Sequence, residues 1–515
     1  MHGRPAGHMT GPTHDSHPAR WRILAVLVLA LLVTSIDHTI LNVALPQLAV
    51  DLQASAAQLQ WVVDAYTLVF AGLLLIAGAA GDRFGRRTAL NAGIVLFLAG
   101  STVSAMSSSV GPVIAGRALM GAGAALIMPA TLSLLVNVFG DPRERAKAIA
   151  AWAAASGAGI ALGPIAGGLL MQQFTWASVF WLNVPVLAVA LVASLHLLPQ
   201  SRDAHPVRLD PVGALLSVLA ISAITYSVIE APEHGWLSGP TLAVAGGGVA
   251  AAVGFVLWEL RRREPMLDVR LFATPAFSAA SVSLTLLFFA MSGAMFLQAQ
   301  YLQFILGYSA LGAGAALVPA AVGMLVGTGA GTHLAAAHGT RAAVPTGTLV
   351  AATGLVLQAQ LTDGASYLPT GLGLLLFGLG AGIAMPAATS SVMNAVPAAR
   401  AGVGSAVNDT TREVGAALGV AVVGSVAATA YRTSMQEQPM PLDMPPAVRE
   451  ATQDNIAAAL SAAARAGADG AELIDLAQTA FVTSMTGALW VAAAIAAWST
   501  VIAIVHLPRH NRTGH

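Results

Sequence analysis

Residues 78–87 read Gly78-Ala-Ala-Gly-Asp82-Arg83-Phe-Gly85-Arg86-Arg87, a short polar segment between two long apolar stretches. A turn this tight needs the backbone freedom of a glycine such as Gly85. Arginines beside apolar stretches are typical of a cytoplasmic membrane loop. That bias does not explain Asp82, because an acid among arginines must have a partner. The segment therefore predicts two membrane helices joined by a cytoplasmic turn, with one acid that makes a specific contact.

The composition of the whole chain also indicates a membrane protein. Apolar residues make up 56% of the chain and charged residues 9%, against about 25% charged residues in a typical globular protein. A soluble chain with so few charges could not cover its own surface, and a bilayer removes that requirement. The net charge of zero gives no sign of nucleic-acid binding. The lack of cysteine excludes disulfides, thiolate metal sites and cysteine nucleophiles.

Long apolar stretches run along almost the entire chain. A membrane helix needs about 20 apolar residues, whereas the buried strands of a soluble α/β core are shorter and interrupted. We therefore predict an all-α membrane protein with fourteen transmembrane helices, near 23–46, 61–80, 89–108, 111–137, 148–171, 178–198, 211–230, 241–260, 276–300, 310–333, 343–361, 367–390, 402–430 and 479–506.

The basic residues predict the orientation of these helices. With both termini inside, most of the arginines fall in inner loops or tails, as the positive-inside rule requires. Residues 1–22 are then a disordered cytoplasmic tail and residues 507–515 a second cytoplasmic tail. The one sizeable extramembrane segment is the outer loop 431–478, which could be a binding lid but which we expect to be a solvated connector.

The loop at 78–87 resembles the G-x-x-x-D-R-x-G-R-R loop of the major facilitator superfamily, and every position of that pattern matches. The resemblance implies a conformational gate, in which Asp82 would face the positive N-terminal end of a helix in the other half of the protein. The alternative is a loop that only sets topology. The gate would consist of Gly78, Asp82, Arg83, Gly85, Arg86 and Arg87.

The fifth predicted helix carries the pattern Gly159-x-x-x-Gly163-Pro164-x-x-Gly167-Gly168. Glycines four residues apart form one smooth face that admits a close helix contact. Pro164 removes a backbone donor and favours a bend. The pattern resembles the helix-five signature that the antiporters of the superfamily share.

Four further segments resemble the fourteen-helix drug:proton antiporters of that superfamily. They read Ser35-Ile-Asp37-His38-Thr39-Ile-Leu-Asn42-Val-Ala-Leu-Pro46, Trp61-Val-Val-Asp64-Ala-Tyr66-Thr-Leu, Phe180-Trp-Leu-Asn183-Val-Pro185 and Tyr301-Leu-Gln303-Phe-Ile-Leu-Gly307-Tyr308-Ser309. The resemblance covers nearly the whole chain and implies a major-facilitator fold. Its parts would be an N-terminal six-helix bundle at 23–198, two inserted helices at 199–275 and a C-terminal six-helix bundle at 276–506.

Polar residues inside the predicted helices are candidates for proton coupling and for the substrate cavity, because an ionisable residue in a membrane is costly. They are Asp37, Asn42, Asp64, Arg117 and Glu413. Asp37 and Arg117 lie roughly 13 Å and roughly 9 Å from the same end of their helices at 1.5 Å per residue, so they can pair. The pair could form a proton site or a permanent structural ion pair.

The other two ionisable candidates have less specific surroundings. Asp64 is predicted within one turn of a helix end, where it could be only interfacial. Glu413 lies close to Asp409 and Arg412, and a local structural charge cluster is the preferred interpretation there.

These patterns together predict a secondary active exporter that couples efflux of small amphipathic organic compounds, such as drugs and antiseptics, to proton influx by alternating access. An exporter dedicated to one endogenous metabolite is the main alternative, and a channel or a membrane enzyme fits less well. No cofactor, metal or nucleic acid is expected. The partners would be a small molecule, protons and the lipid of a bacterial inner membrane, with the monomer as the working unit.

Overall fold

The computed structural model describes residues 18–202, 209–263, 265, 267–361, 366–394, 401–438, 445–465 and 470–507. Within them the chain is helical, and no β-strand occurs in these ranges. The α-helices are α1 (Arg20–Asp51), α2 (Ala56–Phe84), α3 (Arg86–Ala105), α4 (Val110–Val138), α5 (Pro142–Gln173), α6 (Ser178–Trp181), α7 (Asn183–Leu197), α8 (Pro211–His234), α9 (Gly239–Arg261), α10 (Pro275–Gln300), α11 (Ala310–Ala316), α12 (Val318–His338), α13 (Thr340–Gln358), α14 (Tyr367–Asn394), α15 (Ala401–Glu437), α16 (Pro446–Asp454), α17 (Ile456–Ala463) and α18 (Gly470–His506). A π-helical turn, Tyr301–Ile305, extends α10.

Fewer helices are long and apolar enough to span a membrane than the fourteen that the sequence predicts. Within the described ranges, twelve helical segments are long and apolar enough to cross a membrane, and α5 makes a thirteenth if its two bent arms count as one span. Each predicted stretch coincides with a helix or an adjoining pair of helices. The helix α13 is not among the qualifying spans, so the count of fourteen is not confirmed.

The helices pack as two bundles with a helical hairpin beside them. We call α1–α7 the first bundle, and α10–α18 the second bundle. The hairpin consists of α8 and α9, and α8 contacts both α2 and α15. The division at residues 198 and 276 stays a prediction, as do the tails, since 1–17 and 508–515 lie outside the described residues.

The two ends of the molecule differ in their charged residues, and we call them the arginine end and the loop end. The arginine end carries the α2–α3 turn with Arg83, Arg86 and Arg87, and the loop end is opposite, where α16 and α17 lie. Hydrogen bonds that join the two bundles cluster at the loop end: Ala56 N to Asp454 Oδ2 (2.9 Å), Asn455 Nδ2 to Ala54 O (3.1 Å), Gln303 Nε2 to Val43 O (2.9 Å) and Ser425 Oγ to Gln60 Oε1 (3.2 Å). The loop end is therefore closed.

The described parts of 431–478 are helical and partly buried, which differs from the expected solvated connector. The helix α15 continues to Glu437, α18 already begins at Gly470, and two short helices lie between them. Ile456 and Ala457 at the start of α17 are 2% exposed. The apolar side chains of this Ala-rich stretch pack against the bundles, because removing apolar surface from water is favourable.

Asp454 holds this segment in place. Its Oδ2 accepts from the backbone N–H of Ala56, the first residue of α2, while its Oδ1 accepts from Arg432 Nη2 at 2.7 Å. The next residue, Asn455, caps α17 by accepting from Ala458 N. A carboxylate of the second bundle thus lies on the positive N-terminal end of a helix of the first bundle.

Candidate functional site

Asp37 lies at the centre of a buried polar cluster in the first bundle. Its Oδ2 accepts from Arg117 Nη1 at 2.5 Å, and the two side chains are 1% and 2% exposed. Its Oδ1 accepts from Asn183 Nδ2 at 2.9 Å, and Asn183 lies beside Ser101. The structure therefore contains the pair that the sequence predicts, and the carboxylate is fully engaged in this conformation.

Arg117 makes two further contacts that fix its position on α4. Its Nε donates to the backbone carbonyl of Val62 at 3.1 Å, and its guanidinium lies 4.4 Å from the ring centroid of Tyr66. A guanidinium stacked on an aromatic ring gains cation–π energy in a site from which water is excluded. Arg117 thereby ties α1, α2 and α4 together.

Asp64 is deeper than the sequence indicated. Because α2 begins at Ala56, Asp64 lies about 12 Å into the helix at 1.5 Å per residue, and its side chain is completely buried. A side chain without exposed surface does not fit an acid that lies in water at a helix end. Both carboxylate oxygens lack a hydrogen-bond partner within the described part of the chain.

The position of Asp64 follows from its neighbours one turn nearer the loop end. Gln60 contacts Ser425 of α15, and Trp61 donates to Glu230 of α8 at 3.0 Å. Residues three and four apart share a helix face. Asp64 therefore lies where α2 meets both α8 and α15.

Glu413 does not pair with Arg412 and Asp409, the cluster in which the sequence placed it. Arg412 pairs with Asp409 at 3.7 Å and stacks on Phe288 at 4.5 Å, whereas Glu413 points to the first bundle. Its Oε2 lies 3.7 Å from His38 Nε2 on α1. Asn42 is half-buried one turn further along α1.

The glycine face of α5 packs as its spacing predicts. A β-carbon at Gly159, Gly163 or Gly167 would meet Ser35, Thr39 or Ile40 of α1. A β-carbon at Gly168 would instead meet Leu311 of the second bundle, and one at Gly314 would meet the carbonyl of Pro164.

The helix bends by 45° between its arms Arg143–Gly159 and Leu162–Gln173. Pro164 is the physical cause, because it cannot donate the backbone hydrogen bond of a regular helix. The bend carries the second arm across to α11.

The loop at 78–87 contacts its own bundle. Asp82 Oδ1 accepts from Arg86 Nε at 2.9 Å, and Arg87 donates to the carbonyl of Leu198 at 3.0 Å after α7. Gly85 has φ +113°, and a β-carbon there would collide with Gln200. Within the described ranges, no hydrogen bond or ion pair joins Asp82 to the second bundle. Arg86 is thus the partner of the acid here, and the predicted helix-dipole contact does not occur among these residues.

Gly78 and Arg83 complete that loop. Gly78 packs near Pro129 of α4, and the Arg83 guanidinium lies 5.9 Å from the ring centroid of Phe84. Neither contact reaches the second bundle.

Sequence reasoning did not assign a role to Asn183, His38 or Asp454. Asn183 and His38 were visible as polar residues in otherwise apolar helices, which is a usable signal. Asp454 had no such signal, because an acid in a polar loop is ordinary. Its contact with Ala56 depends on how the loop folds back.

The chain matches the model of the Major Facilitator Superfamily over residues 27–420. It is 35% identical to the multidrug efflux pump LfrA of Mycolicibacterium smegmatis, over 91% of this chain and 93% of that protein. It is 31% identical to the tetracenomycin C resistance and export protein of Streptomyces glaucescens, over 98% and 94%. It is 32% identical to the methyl viologen resistance protein SmvA of Salmonella typhimurium, over 91% and 94%.

Solved structures with low identity share the fold. A bacterial homologue of the human lysosomal transporter Spinster, in an inward-facing and unoccupied conformation, superposes with a TM-score of 0.65 at 18% identity, over 97% of this chain and 100% of that one. The peptide transporter POT in complex with sulfate gives 0.63 at 15% identity, over 98% and 97%.

Proposed function

The chain belongs to the major facilitator superfamily, and on that premise we propose that it is a secondary active exporter of small amphipathic organic compounds, drugs and antiseptics among them. Three relatives that match along more than nine-tenths of this chain are named as efflux, export or resistance proteins. Two helical bundles whose described hydrogen bonds to each other cluster at one end fit the architecture that such a transport cycle needs.

We propose that the protein spans a bacterial inner membrane fourteen times, with α13 and the bent α5 counted as spans, and that it works as a monomer. The arginine end would face the cytoplasm, since Arg83, Arg86 and Arg87 cluster there. Both termini then lie inside, and α16 and α17 lie outside.

Export would proceed by alternating access. The closed loop end, with Asp454 on the N-terminus of α2, corresponds in this proposal to a state open toward the cytoplasm. When the arginine end closes, Asp82 would leave Arg86 for a helix N-terminus of the second bundle. The glycine face of α5 would provide the close contact with α1 that keeps the first bundle rigid during this change.

Proton influx would drive the cycle, and Asp64 is the observation that carries this part. Burying a carboxylate without a partner is costly, and binding a proton removes that cost. Asp64 has no partner in the described ranges, and it lies where α2 meets α15 of the other bundle. Asp37 is fully paired in this state, so we assign it the role of holding Arg117. It would take part in a proton step when the pair separates.

The test is efflux of fluorescent cationic and neutral dyes from cells that do or do not make the protein. Export that stops when a protonophore collapses the gradient supports the proposal. Export that continues at full rate without the gradient, but stops when ATP is depleted, contradicts it.

An exporter dedicated to one metabolite is the second candidate. It is favoured by the likeness to a protein named for a single compound, tetracenomycin C, over 98% of this chain. Failure to export any dye in the panel, with the protein folded in the membrane, would favour this candidate.

A further inference from the structure

We propose that His38 carries a proton in the transport cycle and competes, when charged, with a cationic substrate for the carboxylate of Glu413. The inference rests on the proposed export function and assigns it a substrate class, the organic cations. Its basis is an imidazole and a carboxylate that face each other across the two bundles, with Nε2 and Oε2 3.7 Å apart.

The charges around Glu413 leave this carboxylate without a permanent cation. Arg117 is engaged by Asp37 and Arg412 by Asp409. Glu413 Oε2 is buried and accepts no hydrogen bond from the described residues. A buried carboxylate in that situation attracts whichever cation can reach it, because burial makes an unpaired charge costly. Within 4 Å of this carboxylate, the described residues place one side chain that can become a cation, His38.

His38 can exchange its proton with water. Its side chain is 34% exposed, although it lies in the middle of α1. Its ring meets the edge of Tyr66 at 6.0 Å, and Tyr66 separates it from the guanidinium of Arg117. Histidine is the side chain that gains or loses a charge most readily near neutral pH, and this imidazole is open to solvent on one side.

The other ionisable groups around His38 come from few helices. They are Asp37 on α1, Asp64 and Tyr66 on α2, Arg117 on α4, and Asp409, Arg412 and Glu413 on α15. Other helices also pack on α1. Four of them contain no acidic or basic residue: α6, α10, α11 and α17. The acidic and basic residues of α5 and α7 lie at the arginine end. Among the described residues, Glu413 is the acid that lies within 4 Å of the imidazole.

The exchange balances in charge and atoms. With the arginine end open, neutral His38 leaves Glu413 free, and one organic cation binds there. With the loop end open to a more acidic outside, water delivers one proton to Nε2, and the imidazolium pairs with Glu413. The cation leaves outward. When the arginine end opens again, the proton returns to the cytoplasmic water.

The test is equilibrium binding of ethidium, a permanent organic cation, to purified protein between pH 5.5 and 8. In the wild type, affinity should fall as the pH falls, approaching tenfold per pH unit once His38 is charged, with proton release on binding as linkage requires. His38→Gln should bind almost independently of pH and release fewer protons. A merely structural role for His38 would alter stability and leave the pH slope unchanged.

The matched control is His234→Gln. His234 Nδ1 lies at the same 3.7 Å from Glu230, but on the exposed end of α8, so this variant should keep the wild-type pH slope. If His38→Gln does not fold, Glu413→Gln gives the answer, because it should lose both ethidium affinity and the pH slope.

Two results overturn the inference alone. They are a His38→Gln protein with the wild-type pH slope, and a wild-type protein that exports neutral compounds but does not bind ethidium. Absence of gradient-driven export of any compound by the wild type would instead overturn the proposed function.

Discussion

Replacing Asp454 with alanine is expected to open the loop end. The carboxylate joins the bundles through Ala56 N–H, whereas its bond to Arg432 stays within the second bundle. A hydrogen bond to a charged group contributes about 1.5–3 kcal/mol. The side chain is 13% exposed, so solvent screens it little. Loss of the Ala56 bond alone should shift the equilibrium toward the open loop end by roughly 10- to 150-fold.

The measurement uses the lack of native cysteine. A cysteine in place of Ala427, which is 6% exposed and lines a small cavity beneath α16 and α17, should react with an impermeant maleimide only when the loop end opens. The labelling rate should rise at least tenfold when Asp454→Ala is added, and Asp454→Asn should lie between the two. Glu450→Ala, an exposed acid on α16, is the control.

Equal labelling rates with and without the Asp454→Ala substitution would refute the closing role of this carboxylate. An equal acceleration by Glu450→Ala would mean that any change in α16 loosens the segment, and that the bond to Ala56 is not the cause.

Other substitutions separate structural from transport roles. Asp37→Asn leaves Arg117 buried without its anion and should lower stability by about 3–5 kcal/mol, a loss visible in thermal unfolding that a second change, Arg117→Met, should partly restore. Asp64→Asn removes a group without partners in the described ranges, so unfolding should be unchanged while gradient-driven export is lost; retained export would exclude this proton site. Gly163→Leu should stop transport because a β-carbon there would lie 2.8 Å from the Ile36 carbonyl, whereas Gly157→Leu, at a position that faces open space, should transport normally. Asp82→Asn loses one partly exposed ion pair worth about 0.3–0.5 kcal/mol, so a slower cycle with unchanged thermal stability is expected. An unchanged rate would mean that the loop only sets topology.

The helical stretches and the Asp37–Arg117 pair could be predicted because each depends on local information. Apolar length defines a membrane helix, and two opposite charges at similar depth in neighbouring helices have a strong reason to meet. The glycine face of α5 was predictable for a similar reason, since small residues at a four-residue spacing have one main use in a membrane.

The contacts of Asp64, Glu413 and Asp454 could not be predicted, because they depend on where α15 and its following loop lie against α2 and α1. Asp64 was placed too near the end of its helix because α2 starts five residues before the first apolar residue counted, at a capping box formed by Ser55 and Gln58. The partner of Asp82 depends on which end of the molecule is closed, and a sequence does not distinguish the two states.

The length of α15 connects the two features that no local pattern revealed. Glu413 and Arg432 lie on this one helix of 37 residues, which contains no proline, and the distance between them is about 28 Å at 1.5 Å per residue. A stiff rod of that length acts as a lever: a tilt of roughly 10°, comparable to rigid-body rotations in other proteins, moves its far end by about 5 Å. That displacement exceeds the reach of the Asp454–Ala56 hydrogen bond. The identity of the cation at Glu413 would then affect, through the tilt of α15, whether the hydrogen bond at the loop end can form.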